Sequence, residues 1–193
     1  MQTAFALSTK VGDLGHMTGV MRDERSREAD MVAKARNGDR RAFGVLHARY
    51  AALVHGILLA RVPRHEVEDL AQDVFLSALR RLDSLRDDAA FGPWLATIAR
   101  NRATDFHRSK RTDEELHENV STTDPPRLEA QRVLDAIQSL PEAYRETLVL
   151  RLVEEMTGPE IAEQTGLTPG SVRVNLHRGM KMLRQRLGIE DAS

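Results

Sequence analysis

The residues best suited to chemistry lie near the C-terminus, in a stretch where Thr168-Pro169 favours the start of a helix. At about 100° per residue, one side of that helix and its flanks carry polar and basic groups. These are Ser171, Arg173, Val174, Asn175, His177, Arg178 and Lys181. Arg pairs with guanine, Asn with adenine, and Val packs on the thymine methyl. The residue types and their spacing therefore predict contacts to base edges.

A second, shorter helix must position that basic face. Thr157 and Glu160 have the spacing of a capping box, and Gly166 favours the end of the helix. The longer helix then runs to about Leu187, with an apolar stripe on its other side. The stripe consists of Val172, Leu176, Met180, Leu183 and Leu187. Two helices joined by a short turn with Gly are typical of a DNA-binding helix-turn-helix, which is favoured over an ordinary solvated helix end.

Another possible binding face lies on a helix predicted from about Phe91 to Lys110. Its residues recur at spacings of three and four: Trp94, Thr97, Asn101, Thr104 and Arg108. An aromatic ring in line with hydroxyl, amide and guanidinium groups suits stacking on, and bonding to, unpaired bases. The alternative is that Trp94 is a core residue.

A third face lies on a helix predicted from about His65 to Leu82. It presents Asp69, Gln72, Asp73, Leu76 and Arg80. An exposed leucine within an acidic, hydrogen-bonding face suits docking of a protein. Single exposed leucines are also common without any function, so both interpretations stay open.

Composition limits the class of protein. The 193 residues are 41% hydrophobic and 30% charged, without strand-like alternation, which predicts an all-α soluble protein. No cysteine is present, so disulfides and thiolate chemistry are excluded. No apolar run approaches the length of a membrane span, and no signal-peptide core is visible, so we expect neither membrane insertion nor export. Scattered histidines, with no nucleophile motif or phosphate loop, predict no enzyme, metal or cofactor.

The charge distribution matters more than the net charge of −1. Between Arg100 and Arg111 there are five Arg or Lys against one Asp, and the last helix adds five more. The stretch from Thr112 to Ala130 is acidic instead. Two basic surfaces separated by an acidic connector suit contact with DNA at two places.

The predicted organisation is two small helical domains joined by a flexible linker. The predicted segments are a flexible extension (1–27), a four-helix domain (28–111), a linker (112–126), a helix-turn-helix domain (127–188) and a tail (189–193).

Four stretches, in this order, carry a resemblance over about Asp30 to Leu187. They are AKARNGDRRAFGVLHARY, VEDLAQDVFLSALRRLDSLR, FGPWLATIARNRATDFHRSKR and SLPEAYRETLVLRLVEEMTGPEIAEQTGLTPGSVRVNLHRGMKMLRQRL. Together they resemble the bacterial sigma factors of the extracytoplasmic-function (ECF) group. The resemblance implies sigma domain two, then a linker, then sigma domain four.

The resemblance also implies roles. Asp69, Gln72, Asp73, Leu76 and Arg80 would bind the β′ clamp helices of core RNA polymerase, whose β flap is a further expected contact. Trp94, Thr97, Arg100, Asn101, Thr104 and Arg108 would open the −10 element, and the Ser171–Lys181 face would read the −35 element. Phosphate contacts are expected from Arg100, Arg102, Arg108, Lys110 and Arg111. The implied partners are core polymerase, promoter DNA and an anti-sigma factor, in the cytoplasm.

The sequence departs from the family at two places. Val174-Asn175 stands where polar pairs such as Ser-Arg are usual, which predicts altered −35 specificity and a thymine methyl near Val174. Gly158-Pro159 stands where an aromatic residue is frequent. Two other classes are weighed: a stand-alone helix-turn-helix regulator, and a sigma-mimicking interaction module. Neither explains the motifs of the first domain together with two intact basic faces.

Overall fold

The structure, a computed structural model, describes residues 26–113 and 125–189. Within these ranges it contains eight α-helices and no strand, which confirms the all-α prediction. The helices are α1 (26–36), α2 (Arg40–Leu59), α3 (Val67–Arg80), α4 (Phe91–Asp113), α5 (Pro125–Gln138), α6 (Glu142–Leu152), α7 (Gly158–Thr165) and α8 (Pro169–Leu187). The predicted extension (except 26 and 27, which are in α1), most of the linker and most of the tail lie outside the described residues.

Helices α1–α4 form what we call the N-terminal bundle. Helix α2 is its central element, begun by Asp39, whose carboxylate accepts from the backbone N–H of Arg41 and Ala42. Although α2 is long and apolar enough to cross a membrane by length and composition, Leu53, Val54 and Ile57 are fully buried inside the protein. It is thus a core helix packed against α3, α4 and α6.

The helix predicted from His65 to Leu82 is shorter in the structure. A 3-10 turn occupies Arg64–Glu66, α3 follows, and a second 3-10 turn covers Leu82–Ser84. The break comes at Arg81, whose backbone N–H reaches back to Ser77 and Ala78. The apolar residues that the 3.6-residue period places opposite the Asp69 face are buried, except Ala71, which is partly buried. The buried ones are Val67, Leu70, Val74, Phe75, Ala78 and Leu82.

Helices α5–α8 form the C-terminal bundle. Helix α8 crosses α6 closely at Gly179, where an added Cβ would lie 3.0 Å from Cδ1 of Leu148. The predicted apolar stripe of α8 is confirmed, because Val172 and Leu183 are buried and Leu176, Met180 and Leu187 pack partly against the core.

The two bundles pack against each other, α2 on α6 and α4 on α7. At Gly56 an added Cβ would lie 2.6 Å from Cδ2 of Leu150, so the absence of a side chain allows this close approach. At the other end, an added Cβ on Gly166 would lie 3.2 Å from Cβ of Pro93. Gln138 also donates to the carbonyl of Leu59 at 2.8 Å. The sequence did not predict this contact between the bundles, which we call the closed arrangement.

One ion pair of the closed arrangement is sensitive to pH. Nδ1 of His55 lies 2.5 Å from Oε1 of Glu154. This hydrogen bond raises the pKa of His55 above its ordinary 6.5, against the opposing effect of burial; Glu68 adds to the rise and Arg64 reduces it. Because the pKa of His55 is higher in the folded than in the unfolded chain, its pair with Glu154 contributes its full stabilisation below about pH 6.5. That contribution is lost as the pH rises through the raised pKa.

His55→Gln should therefore lower the melting temperature more at pH 6 than at pH 8.5. The difference should correspond to less than about 1 kcal/mol, because the pair is partly exposed to solvent. Thermal unfolding followed by circular dichroism measures it, with His65→Gln as the control on an exposed histidine of the same bundle. An equal loss at both pH values would contradict the assignment of the pair.

Candidate polymerase and promoter interfaces

The outer face of α3 combines acidic and apolar groups at the surface. Asp69, Gln72 and Arg80 are exposed, and Leu76 is 53% exposed. Leu79, which sequence reasoning missed, is 45% exposed and lies one turn from Leu76 on the same helix. Because i, i+3 neighbours share a helix face, the two leucines make a small apolar patch flanked by charge, which suits a protein partner.

Asp73 has a contact within the bundle. Its Oδ2 accepts from Nη2 of Arg102 on α4 at 2.6 Å and from Nε at 3.2 Å. The pair is about half exposed, so it adds little to stability. It does fix the orientation of the Asp73 carboxylate beside the leucine patch.

The predicted face of α4 is largely at the surface. Thr97, Asn101, Thr104 and Arg108 are exposed, whereas Trp94 is partly buried and packs against Phe91 with ring centroids 5.8 Å apart. The hydroxyls of Thr97 and Thr104 donate to the carbonyls of Pro93 and Arg100, at 2.9 and 3.0 Å. Their oxygens can therefore only accept further bonds, for example from the amino group of a base.

The basic residues of α4 all have acidic partners where their side chains are described. Arg102 pairs with Asp73, Arg108 with Asp105 and Lys110 with Glu66. Arg100 differs from these because its partner, Glu146, belongs to the C-terminal bundle. The side chain of Arg111 lies outside the described residues.

Glu146 is held by two arginines. Its oxygens accept from Nε and Nη2 of Arg100 at 3.0 and 2.7 Å, and from Nη2 of Arg61 at 2.7 Å. The side chain is 8% exposed. Burial raises the pKa of Glu146, but the hydrogen bonds and charges of Arg100 and Arg61 outweigh it, so the pKa is lowered below its ordinary value. Glu146 is thus an ionised, buried carboxylate at neutral pH.

The helix-turn-helix has the predicted caps. Oε2 of Glu160 accepts from the N–H of Thr157 at 2.7 Å, while the Thr157 hydroxyl accepts from the N–H of Glu160. Gly166 ends α7 at φ +78°, a conformation that costs a Cβ-bearing residue free energy. Thr168 then caps α8 by accepting from the N–H of Ser171 at 3.1 Å.

Helix α8 presents the predicted reading face to solvent. Arg173, Val174, His177, Arg178 and Lys181 are exposed, with Val174 at 45%. Asn175 is partly buried, and the hydroxyl of Ser171 lies 2.8 Å from that of Thr168, where it completes the cap. The exposed residues therefore form a continuous basic surface with one apolar group.

Comparison with known families bears on all three faces. A Sigma-70 region 2 model matches residues 46–112, which include α3 and nearly all of α4, and a Sigma-70, region 4 model matches residues 130–183, which include the helix-turn-helix. RNA polymerase sigma factor CarQ of Myxococcus xanthus is 38% identical over 168 residues, which cover 81% of this chain and 95% of that protein. The ECF RNA polymerase sigma-E factor of Haemophilus influenzae is 28% identical over 85% of this chain and 97% of its own length.

The chain is a sigma factor of the ECF group. As such it binds core RNA polymerase, recognises the −35 and −10 promoter elements, and melts the −10 region to start transcription. Proteins of this family are transcription initiation factors and not enzymes.

A solved structure agrees with this sigma factor in fold. It is that of CnrH in complex with the cytosolic domain of CnrY, with a TM-score of 0.61 and 30% identity, covering 85% of this chain and 99% of that one. CnrH is known as an RNA polymerase sigma factor from Cupriavidus metallidurans.

The turn of the helix-turn-helix gives a test of local geometry. Gly166→Ala and Gly188→Ala both place a Cβ at positive φ, +78° and +68°, and each should cost about 1 kcal/mol. Gly166→Ala should lower the melting temperature further, because its Cβ also meets Pro93 at 3.2 Å while nothing lies within 4 Å at Gly188. Equal melting temperatures would argue against the contact between α4 and the turn.

Proposed function

We propose that three surfaces divide the work of this sigma factor. The α3 face, with Asp69, Gln72, Asp73, Leu76 and Arg80, binds the β′ clamp helices of core polymerase. The α4 face, with Trp94, Thr97, Arg100, Asn101, Thr104 and Arg108, captures the opened −10 element. The α8 face, with Ser171, Arg173, Val174, Asn175, His177, Arg178 and Lys181, reads the −35 element. The observation that carries this is the exposure of most of these side chains within the two matched regions.

Melting of the −10 element by this surface needs no nucleotide hydrolysis. Unstacking a base costs a few kcal/mol, which binding of the extruded base offsets. The partly buried Trp94 supplies a rigid ring beside the exposed Asn101, and the two threonine oxygens supply acceptors. The protein acts in the cytoplasm, where polymerase and DNA are, and catalyses no reaction itself.

A regulatory partner also belongs to the proposal. The related CnrH has been solved with the cytosolic domain of CnrY. A partner of this kind, an anti-sigma factor, would cover the Leu76–Leu79 patch of α3, because that patch is exposed in the closed arrangement. Its occupation would block access of polymerase to the same leucines.

A stand-alone helix-turn-helix regulator is not favoured. Such a protein needs only the C-terminal bundle, whereas the region 2 match covers α3 and the candidate −10 face. It would bind an operator tightly without polymerase.

Run-off transcription over a library of genomic fragments, with purified core polymerase, tests the docking surface. We expect discrete start sites that depend on this protein and that fall at least tenfold with Leu76→Lys, because an unpaired charge is costly to bury in an apolar contact. Val133→Lys, at an apolar side chain that is 38% exposed on α5, is the matched control. Leu76 is a cleaner choice than Asp73, whose replacement also breaks the bond to Arg102.

Transcription that is equal with Leu76→Lys and Val133→Lys would refute the docking assignment. Absence of any start site, together with tight operator binding by the protein alone, would favour the stand-alone regulator.

The −35 reader is tested at Val174. We expect uracil in place of one thymine of the −35 element to weaken binding by about 0.8 kcal/mol, roughly fourfold, because one methyl contact is lost. The same replacement should not change the affinity of the Val174→Ala variant for the DNA, because alanine lacks the γ-methyl groups that make the contact. Fluorescence anisotropy with each thymine replaced in turn measures this, and an unchanged affinity at every position would refute the contact.

A further inference from the structure

Three acidic residues of the C-terminal bundle pair with basic side chains of the N-terminal bundle. Glu142 and Glu146 of α6 contact Arg61, Glu146 also contacts Arg100, and Glu154 contacts His55. Arg61 is 9% exposed and Glu146 8% exposed, so the contact between them is shielded from solvent. Buried charges of this kind require a partner, because an unpaired charge is costly away from water.

The two arginines share one oxygen of Glu146. Oε2 accepts from Arg61 at 2.7 Å and from Arg100 at 3.0 Å, so two guanidinium groups lie side by side. Like charges this close repel each other unless an anion lies between them. Guanidinium groups bind carboxylate and phosphate in the same two-point geometry. Arg61 and Arg100 together are therefore an anion site, which Glu146 fills in the closed arrangement.

The closed arrangement cannot engage both promoter elements. The first turn of α4 touches the helix-turn-helix at Pro93 and Gly166. The −35 and −10 elements are centred about 25 base pairs apart, which is roughly 85 Å at 3.4 Å per pair. Reading surfaces on two bundles that pack against each other cannot span that distance, so engagement of both elements requires the bundles to separate.

We propose that the Arg61–Arg100 anion site binds a phosphate of the promoter backbone when the bundles separate, and that Glu146 holds the free protein closed by occupying this site. The identity of the ligand as a DNA phosphate rests on the proposed function, whereas the closure of the bundles by Glu146 is independent of it. Separation then leaves neither arginine without an anion, because one anion replaces another. Arg61 thereby joins the DNA-binding residues.

Closure is tested by Förster resonance energy transfer between two dyes on the full chain. The sequence has no cysteine, so Ala48→Cys on α2 and Gln185→Cys on α8 take dyes at two exposed positions, one in each bundle. Glu146→Gln should lower the transfer efficiency, compared with Glu129→Gln, which removes the same charge from an exposed position on α5.

A second variant opens the bundles without removing a charge. The three atoms nearest to an added Cβ at Gly56 belong to Leu150 and Glu154 of the other bundle, whereas an added Cβ at Gly44 on the same helix has nothing within 4 Å. Gly56→Gln should therefore disturb the contact between the bundles and Gly44→Gln should not. Both replace glycine by a better helix former, so the N-terminal bundle should remain folded. Transfer that is unchanged in Glu146→Gln relative to Glu129→Gln, although Gly56→Gln lowers it relative to Gly44→Gln, would overturn the proposed closure by Glu146.

The ligand is tested with a labelled duplex of 30 base pairs and random sequence. We expect Glu146→Gln to bind it roughly tenfold more tightly than Glu129→Gln at low salt, with a salt slope steeper by up to about 0.9 for the one added phosphate contact. Adding Arg61→Gln to Glu146→Gln should reverse about half of the change in slope.

An unchanged slope in Glu146→Gln, or no effect of Arg61→Gln, would overturn phosphate as the ligand. Run-off transcription separates this outcome from failure of the proposed function. If the protein opens and binds the duplex as expected but gives no start site with core polymerase, the anion site is supported and the assignment of the promoter surfaces is refuted.

Discussion

The arrangement of this molecule depends on one buried carboxylate. Glu146 belongs to the C-terminal bundle, yet the two cations that neutralise it, Arg61 and Arg100, belong to the N-terminal bundle. Burial of the carboxylate or of the guanidinium groups without the other is costly, because an unpaired buried charge destabilises a protein far more than a buried ion pair stabilises it. The relative position of the bundles follows from this requirement, and the glycines at 56 and 166 make the approach sterically possible.

Helix α6 connects this contact to DNA reading. One side of it packs on α8 through Leu148 and Gly179, and another side packs on α2 through Leu150 and Gly56. Movement of α6 relative to α2 must therefore carry the helix-turn-helix with it as one body. In the proposed open form, the helix-turn-helix keeps its internal geometry while its distance from α4 changes.

Local sequence patterns predicted much of this structure. The apolar stripes of α3 and α8 follow the 3.6-residue period of a helix. The caps at Thr157, Gly166 and Thr168 are predicted by sequence patterns only a few residues long. The contact between the bundles could not be predicted in this way, because Arg100 and Glu146 are 46 positions apart and each looks like a surface charge on its own helix. The spacing of Thr97 and Thr104 indicates hydroxyls available to bases, but it does not show that each donates to the carbonyl four residues earlier, a bond that helix geometry allows.

The position of Glu146 on the same polypeptide as its arginines affects how activity scales with the amount of protein. A group on the same polypeptide as its partners is present at an effective concentration that does not depend on how dilute the protein is. Synthesis of more molecules raises open and closed forms in the same proportion. A cell would therefore change the open fraction only through something that binds one form better than the other, such as polymerase, DNA or a regulator.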